Sequence, residues 1–174
     1  MTSPKRIRFV ELSGAAMAAL SDGDLDRAGE VAGVALGAYF LTDSARWLWR
    51  YRLDQMAADP AHARWMVRQA VVGDEGRVVG HAGFHGPPDD AGMVEIGYAV
   101  VPEFRRRGYA RATLTELLRR AATEPEVTTV RASIAPDNAA SLATIAGFGF
   151  AEIGEQWDEE DGREIVFEVP AAQP

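Results

Sequence analysis

The apolar and polar residues of this 174-residue chain follow two periodicities within its first third. Residues 6–12 alternate like a strand with one buried face. The segment 13–63 is instead rich in Ala, Leu and charged residues, which predicts helices. These helices are expected to break near 21–24 and near 42–43, where Asp or Ser can cap a helix start.

A β-hairpin and then a loop are predicted next. The mostly apolar runs 65–72 and 77–84 are separated by the turn residues GDEG, which is typical of two antiparallel strands. The segment 85–92 reads HGPPDDAG, and its Gly, Pro and Asp content predicts a loop.

The second half of the chain alternates strands with helices. The pattern predicts a strand over 93–101, a helix over 109–123, a strand over 128–136, a short helix over 138–147 and a closing hairpin around Asp161–Gly162. A strand–helix–strand unit indicates a parallel pair, whereas the flanking hairpins indicate antiparallel pairing. We therefore expect an α/β (α+β) fold with one mixed sheet.

Composition narrows the class of protein. The hydrophobic share of 47% is enough for one compact domain at this length. The chain has no cysteine, so a disulfide framework, a thiolate zinc site and a Cys nucleophile are excluded, and we expect no metal site. The opening MTSPKRIRFVEL lacks the apolar stretch of a signal peptide, and the longest uncharged apolar run has eleven residues, below the roughly 20 of a membrane span. We expect a cytoplasmic protein that binds no membrane.

Charge is distributed unevenly along the chain. The net charge of −8 argues against a nucleic-acid partner, whose binding would need many Lys and Arg side chains. Residues 105–120 nevertheless contain six arginines and one acid, whereas residues 151–174 contain eight acids and one arginine. Both runs are typical of solvated surface. The basic run differs because it coincides with the start of a predicted helix.

A helix start carries partial positive charge and ordinarily repels cations, yet Arg105, Arg106 and Arg107 stand there. Gly108 permits a close backbone approach, and exposed N–H groups at such a turn bind anions. A bound pyrophosphate would make the arginines favourable counterions. The alternative is that the arginines face solvent and Gly108 is an ordinary turn residue. Neither a P-loop motif nor a GxGxxG motif is present.

The strand 93–101 has one bulky face and one small face. Small residues, Gly97 and Ala99, flank the carboxylate of Glu95 on the small face. This arrangement leaves space beside an acid, as a buried ligand would need. The alternative is that Glu95 is an ion-paired or solvent-facing residue of an ordinary sheet.

Two motifs resemble those of the GNAT superfamily of N-acyltransferases. The run Val100, Pro102, Arg105, Gly108 and Ala110 is similar to the acyl-CoA motif [RQ]-x-x-G-x-[GA], and it lies between a strand and an amphipathic helix. Downstream, N-x-x-S-x(7)-G-F is matched by Asn138, Ser141, Gly149 and Phe150. Together the motifs cover residues 93–150.

The resemblance implies a fold, a cosubstrate and a set of site residues. It implies a single GNAT domain over residues 1–174, with a mostly antiparallel sheet whose central parallel pair is splayed around acyl-CoA and with helices on both faces. The cosubstrate would be acetyl-CoA, with pantetheine along the fourth strand and the pyrophosphate on the following turn. The implied cofactor-binding residues are Tyr98, Ala99, Val100, Val101, Arg105, Arg106, Arg107, Gly108, Tyr109, Ala110, Arg111, Asn138 and Ser141. Asn138 is also a suitable helix cap.

Direct acetyl transfer to an amine requires a base, because amines are protonated at neutral pH. Glu95 is the leading candidate. A strand N–H near Val100 would stabilise the oxyanion. Many family members carry a Tyr, which protonates the departing thiolate, at the position of Ile145, and isoleucine cannot donate a proton. Three alternatives are left open. The donor is Ser141, or the weaker candidate Tyr109, or the thiolate departs without an acid.

The acceptor is only loosely defined by the sequence. His81 and His85 could contact it but are more typical of structural or surface positions, and they are left out of the catalytic set. Some of Trp47, Trp49 and Tyr51 are expected in the core. Trp157, which lies among several acids, would suit a cationic amine.

The interpretation is an acetyl-CoA-dependent N-acetyltransferase that acts on a small molecule, a peptide or a protein N-terminus. The altered acid position and the long early helical segment are compatible with the branch that modifies ribosomal-protein N-termini. A monomer or homodimer is expected. The alternatives are a non-catalytic acyl-CoA-binding module and an enzyme that uses another acyl-CoA. An RNA-binding arginine patch is disfavoured by the overall acidity.

Overall fold

A single seven-stranded sheet organises the protein. The computed structural model describes residues 5–171, so residues 1–4 and 172–174 of the predicted domain lie outside the described part. The strands are β1 (Ile7–Leu12), β2 (Arg68–Gly73), β3 (Val78–Phe84), β4 (Met93–Val100), β5 (Thr129–Ile134), β6 (Ala151–Asp158) and β7 (Gly162–Pro170). Their order across the sheet is β1-β2-β3-β4-β5-β7-β6.

Helices occupy the connections predicted for them. They are α1 (Gly14–Asp22), α2 (Leu25–Ala32), α3 (Asp43–Ala58), α4 (Ala63–Met66), α5 (Tyr109–Thr123) and α6 (Ala139–Ile145). Side-chain oxygens of Ser13, Asp24 and Thr42 cap the first three of these helices, which explains where the helices begin. In residues 5–171, no helix has both the length and the apolar character that a membrane span requires.

The sheet is mixed because β4 and β5 run parallel, whereas every other neighbouring pair is antiparallel. The parallel ladder is short: it ends at the pair Glu95–Arg131. Beyond this pair, β4 continues beside β3 and β5 continues beside β7. The two central strands therefore diverge, and the opening between them is called the fork below.

Helices cover both faces of the sheet. On one face, Trp49 of α3 packs edge-on against His81 of β3. On the other, the guanidinium of Arg120 in α5 lies over the ring of Phe84. His81 and Phe84 are an odd number of residues apart on one strand, so they point to opposite faces. The predicted fold class is confirmed.

One boundary was wrong. The sequence predicts a strand from residue 65, whereas Trp65 and Met66 close the short helix α4 and β2 begins only at Arg68. Both side chains are buried, and Trp65 packs against Phe84. An apolar run of this length does not distinguish a buried strand from a buried helical turn.

The expectation for the aromatic residues of α3 is confirmed. Trp49 is fully buried, and its indole N–H donates to the carbonyl oxygen of Phe40 at 2.8 Å. Trp47 and Tyr51 are exposed and stack on each other. The helix thus contributes one aromatic anchor to the core and an aromatic pair to the surface.

Gly80 is expected to be essential for the approach of β3 to β4. A Cβ atom at this position would lie 2.1 Å from the carbonyl oxygen of Ala99, so Gly80→Ala must displace the strand that borders the fork. We predict a loss of about 3 kcal/mol in the free energy of unfolding, measured by urea denaturation. The control is Gly37→Ala, where a Cβ meets no atom within 4 Å. Equal stability of the two variants would contradict this account of the strand contact.

Candidate active site

A cleft opens at the fork. Its volume is about 850 Å³, and its walls come from β4, from the turn that precedes α5, and from α6. Ten of the thirteen residues implied for cofactor binding line it, namely Tyr98, Ala99, Val100, Arg105, Arg106, Gly108, Ala110, Arg111, Asn138 and Ser141. Val101, Arg107 and Tyr109 are not among its lining residues.

The turn before α5 has the backbone geometry of a candidate anion site. Arg106 has φ 56° and Gly108 has φ 87°, which are left-handed conformations that concentrate backbone N–H groups on one side. No side chain caps α5, and no acid stands in its first turn. The first N–H groups of the helix are thus left for a ligand.

The arginines of this turn have separate positions. The Nε of Arg105 donates to the carbonyl oxygen of Val100 at 3.0 Å, which holds the side chain at the cleft. Arg111 donates to the carbonyl oxygen of Ala146 at 3.1 Å and joins α5 to the end of α6. The guanidinium of Arg107 lies 5.7 Å from the centre of the Phe104 ring. Arg105, Arg106 and Arg111 therefore surround the cleft, whereas Arg107 lies outside its lining.

Tyr109 has a supporting position and does not point into the cleft. Its hydroxyl donates to Asp74 at 2.6 Å, and Lys5 contacts the same carboxylate at 3.2 Å. The hydrogen bonds from Tyr109 and Lys5 lower the pKa of Asp74. This network joins the β2–β3 turn to the first residue of α5. Its hydrogen bond to Asp74 argues against Tyr109 as the acid for a thiolate.

The second motif forms the opposite wall. The side-chain oxygen of Asn138 accepts from the backbone N–H of Ser141 at 3.1 Å, so Asn138 is the cap of α6. Ser141 and Thr144 line the cleft beside Tyr98. The Tyr98 hydroxyl is buried, and within residues 5–171 no group meets it in hydrogen-bond geometry. Burial raises its pKa, and the neighbouring Thr144 and Ser141 partly offset that rise. Ile145 is buried in the core.

Glu95 lies at the base of the fork. Its side chain is 22% exposed, and its Oε1 is 3.9 Å from Nδ1 of His85. Arg131, its neighbour across the parallel ladder, is bonded to Glu168 at 2.6 Å. Of the ion pairs within residues 5–171, Glu95 takes part only in the long contact with His85. It is therefore a carboxylate available for chemistry at the fork.

The space predicted beside Glu95 is occupied. A Cβ at Gly97 would lie 2.6 Å from Nε2 of His85 and 3.7 Å from Nη1 of Arg68. The small residue thus accommodates two side chains of the protein, and the ligand cleft lies on the other side of β4, around Tyr98. The alternation of small and large residues along a strand predicts where space exists beside the strand. It does not predict which side chain or ligand occupies that space.

A buried basic cluster next to Glu95 was missed by the sequence analysis. Arg68 of β2 donates to the carbonyl oxygen of Gly97 at 3.0 Å and lies 3.2 Å from Nδ1 of His81. Arg52 of α3 donates to the carbonyl oxygen of His85 at 2.6 Å. An arginine inside the otherwise apolar run WMVRQAVV was the available signal, because charged residues rarely lie inside a fully buried strand.

Burial controls the titration of this cluster. Burial, followed by the charge of Arg52, lowers the pKa of Arg68 to about 9. Burial and the charge of Arg68 hold the pKa of His81 well below its usual value, so this ring is neutral. The same causes, with Arg52, lower the pKa of His85. Solvent reaches 46% of the His85 side chain, so we expect a smaller shift there than at His81.

The β6–β7 hairpin extends toward this cluster. Trp157 is 78% exposed, and the carboxylate of Asp158 interacts electrostatically with His85. Burial raises the pKa of Glu164, whose carboxylate accepts from Gln156 at 2.9 Å. Acids of the hairpin thus face the same side of the sheet as Glu95.

Comparison with known families decides the assignment. The family described as Acetyltransferase (GNAT) domain matches residues 15–151. The chain belongs to the GNAT acetyltransferase family. The matched region contains the fork, the anion-binding turn and α6, so the resemblance noted from the two motifs is confirmed. Acyl-CoA is the cosubstrate of this family.

One curated relative is an uncharacterized N-acetyltransferase, YjdG, of Bacillus subtilis (strain 168), which is 35% identical over 86 residues. This alignment spans 49% of this chain and 49% of the relative. The similarity therefore extends over about half the length of each protein.

Solved GNAT structures share the fold at low identity. A spermidine N-acetyltransferase of Vibrio cholerae is 14% identical with a TM-score of 0.64, and the match covers 95% of this chain and 94% of that one. A ribosomal-protein-S5-alanine acetyltransferase of Vibrio fischeri is 14% identical with a TM-score of 0.62 and 98% and 95% coverage. A phosphinothricin acetyltransferase of Sinorhizobium meliloti, solved in complex with AcCoA, is 18% identical with a TM-score of 0.61 and 99% and 94% coverage.

The neutral, buried His81 predicts a pH-dependent stability. The unfolded chain binds a proton at this residue below about pH 6.5, whereas the folded chain does not, so stability falls as the pH falls. We expect His81 to contribute roughly 1 kcal/mol of destabilisation per pH unit between pH 6 and pH 5. Urea denaturation at both pH values should give a smaller pH dependence for His81→Gln than for the wild type. His62→Gln, at an exposed position, is the control. Parallel pH profiles of wild type and His81→Gln would contradict the assignment of His81 as a buried neutral ring.

Proposed function

We propose that this protein is an N-acetyltransferase that transfers an acetyl group from acetyl-CoA directly to a primary amine in a ternary complex. The observation that carries the proposal is the position of an available carboxylate, Glu95, at the base of a fork that leads to an uncapped helix start. The domain is proposed to extend over residues 1–174, because β1 and β7 belong to the same sheet but lie outside the matched region.

The turn and the strand divide the binding of acetyl-CoA between them. The N–H groups around Gly108, with Arg105 and Arg106, hold the pyrophosphate. Glu95 and Val101 bond to β3 through their backbone O and N, so alternation directs the peptide groups of Tyr98 and Val100 toward the fork. The Val100 carbonyl accepts from Arg105, and the other fork-facing groups suit the amides of pantetheine and place the thioester near Glu95.

Glu95 acts as the general base, either directly or through water. It removes a proton from the ammonium form of the acceptor, and the neutral nitrogen attacks the acetyl carbonyl carbon. Glu95 passes this first proton to solvent. A C–N bond forms, the C–S bond breaks, and the second proton that the nitrogen loses passes to Glu95, while the thiolate receives a proton relayed from solvent. A fork-facing backbone N–H of β4, on the stretch that ends at Val100, stabilises the oxyanion of the tetrahedral intermediate.

Ser141 is the proposed donor to the departing thiolate. Its side chain lines the cleft next to the unpartnered hydroxyl of Tyr98. With apolar Ile145 at the position where many family members carry an acid, this pair of hydroxyls is the nearest source of a proton or hydrogen bond. Coenzyme A then leaves as the thiol.

Two alternatives remain distinguishable. A non-catalytic module would bind coenzyme A without releasing thiol in the presence of any amine, and an enzyme for another acyl group would prefer a longer acyl-CoA. The Glu95 carboxylate at the fork favours an enzyme over a module. A thiol-release screen with acetyl-CoA, propionyl-CoA and butyryl-CoA against amines, amino acids, peptides and polyamines separates the three outcomes. Cytoplasmic location and a monomeric or homodimeric state stay predictions.

Replacing Glu95 tests its role as the base. Glu95→Gln should lower kcat by about 100-fold or more, because the amide cannot accept the proton, while the affinity for coenzyme A stays unchanged. Raising the pH should partly restore activity, since the amine then loses its proton to water. Thiol release and calorimetry provide the two readouts.

The matched control is Glu103→Gln, an exposed carboxylate just beyond the other end of β4. This variant should keep wild-type kcat. Near-wild-type kcat in Glu95→Gln would remove Glu95 from the mechanism.

Gly108 tests the anion-binding turn. Gly108→Ala forces a Cβ into a left-handed conformation and should cost about 1 kcal/mol of stability, and it should weaken coenzyme A binding several-fold because the N–H groups shift. Gly33→Ala carries the same backbone strain at a site with nothing within 4 Å. We expect it to lose similar stability but no affinity in calorimetry. An unchanged dissociation constant in Gly108→Ala would refute this role of the turn.

A further inference from the structure

Two buried arginines beside Glu95 have no acidic partner. Arg68 is 2% exposed and Arg52 is 3% exposed. In the described range 5–171, neither guanidinium belongs to an ion pair with a carboxylate. The Nε atoms of both side chains and Nη1 of Arg68 also have no hydrogen-bond acceptor. The cluster therefore contains two cations without a carboxylate partner and three N–H-bearing nitrogens without a hydrogen-bond acceptor.

Such a cluster is unfavourable for the free protein. Each buried unpaired charge costs several kcal/mol, and the two like charges oppose each other, which contributes to the lowered pKa of Arg68. Apolar side chains of similar volume would fill the same space at lower cost. The neutral rings of His81 and His85 offer little compensation. The arrangement is typical of a site that is completed by an anion.

The cluster is close to the reacting centre. Arg68 bonds to the carbonyl oxygen of Gly97, which is two residues and roughly 7 Å along β4 from Glu95. The charge of Arg52 interacts with that of Glu95 itself. An acceptor whose amine reaches Glu95 could thus place a second group a few bonds away against the guanidinium groups.

His85 controls access to Arg68. The His85 ring and Nη1 of Arg68 are both close to the position that a Cβ atom of Gly97 would occupy. Nearly half of the His85 side chain faces solvent. The ring therefore covers Arg68 from the open side. The contact of its Nδ1 with Glu95, at 3.9 Å, is too long for a hydrogen bond, so a change of rotamer could uncover the guanidinium.

Acids surround the other side of the same region. The charges of Asp158 and Glu95 both act on the buried carboxyl of Glu164, and Asp158 also acts on His85. The sheet side is thus positive, at Arg52 and Arg68, and the hairpin side is negative. A molecule with both an ammonium group and an anionic group matches this division of charge.

We propose that the acceptor is an amine that carries a carboxylate a few bonds from its nitrogen, as in an amino acid, and that Arg52 and Arg68 bind this carboxylate while the amine faces Glu95. The proposal rests on the transferase function above and adds the class of its substrate. Arginine suits the role because its planar fork binds a carboxylate through two parallel hydrogen bonds.

A polyamine would fit this subsite poorly. Each of its nitrogens is cationic, so binding would leave both arginines unpaired and add repulsion to the cluster. The spermidine N-acetyltransferase of Vibrio cholerae shares the fold with this chain at 14% identity, and that likeness does not extend to the acceptor. The two buried arginines are the observation that separates the classes.

Matched acceptors test the proposal. Phenylalanine, leucine, β-alanine and γ-aminobutyrate are each compared with the corresponding primary amide, which replaces the carboxylate by a neutral group, and spermidine is included. Rates are referred to the neutral-amine fraction of each acceptor, because the amide also lowers the pKa of the amine. The measurements are thiol release with acetyl-CoA and, independently of turnover, thermal stabilisation by each acceptor in the presence of coenzyme A. Arg52→Gln and Arg52→Lys are tested beside the wild type, with Arg50→Gln, an exposed position two residues earlier in α3, as the control. Calorimetry with coenzyme A and the melting temperature confirm that each variant is folded.

We expect at least one carboxylate of the series to exceed its amide tenfold or more in kcat/KM or in binding, and Arg52→Gln to abolish this preference while Arg50→Gln keeps it. Arg52→Lys should retain part of it. Amides or spermidine that equal or exceed every carboxylate, or a preference that survives in Arg52→Gln, would overturn the proposal. Carboxylate-selective binding that depends on Arg52, without any thiol release, would support the subsite while contradicting the transferase function.

Discussion

The termination of the parallel ladder between β4 and β5 is the constraint on which the site depends. The two strands pair as far as Glu95 and Arg131, and then each continues beside its antiparallel neighbour. Peptide groups that would otherwise bond across the sheet are left free along β4. The same divergence creates the cleft, and Glu95 lies where the parallel ladder ends. A regular ladder would pair these backbone groups with β5 and remove the ligand groove.

The anion-binding turn is positioned by contacts outside the cleft. Tyr109 begins α5 and is fixed to Asp74 in the β2–β3 turn, so the helix start is connected to a strand pair two elements away. Arg111 connects the same helix to α6. Because no acidic side chain neutralises the first turn of α5, its electrostatic field remains available. The arginines of the turn, unfavourable beside an empty helix start, become favourable when a diphosphate is present.

Much of this arrangement could be predicted from sequence, and the exceptions have physical causes. Helix α5 matches its predicted bounds because Gly108 and the apolar face of the helix are local signals. Glu95 could be identified because it lies on a recognisable strand. The roles of Arg68 and His85 could not, since they depend on which side chains meet across three strands. Trp65 was assigned to a strand instead of a helix because a short apolar run is compatible with both. Features set by neighbouring residues in the sequence could be predicted, whereas contacts between distant segments could not.

The most direct test of the account is an NMR titration of the ¹⁵N-labelled protein with coenzyme A, because it reports on the backbone amides to which binding is assigned. The account predicts that the largest shift changes occur at the amides of residues 105–111 and at those of Tyr98 and Val100, at the two ends of one continuous ligand path. Saturable binding whose shift changes avoid both groups of amides, or the absence of binding by a folded sample, would contradict it.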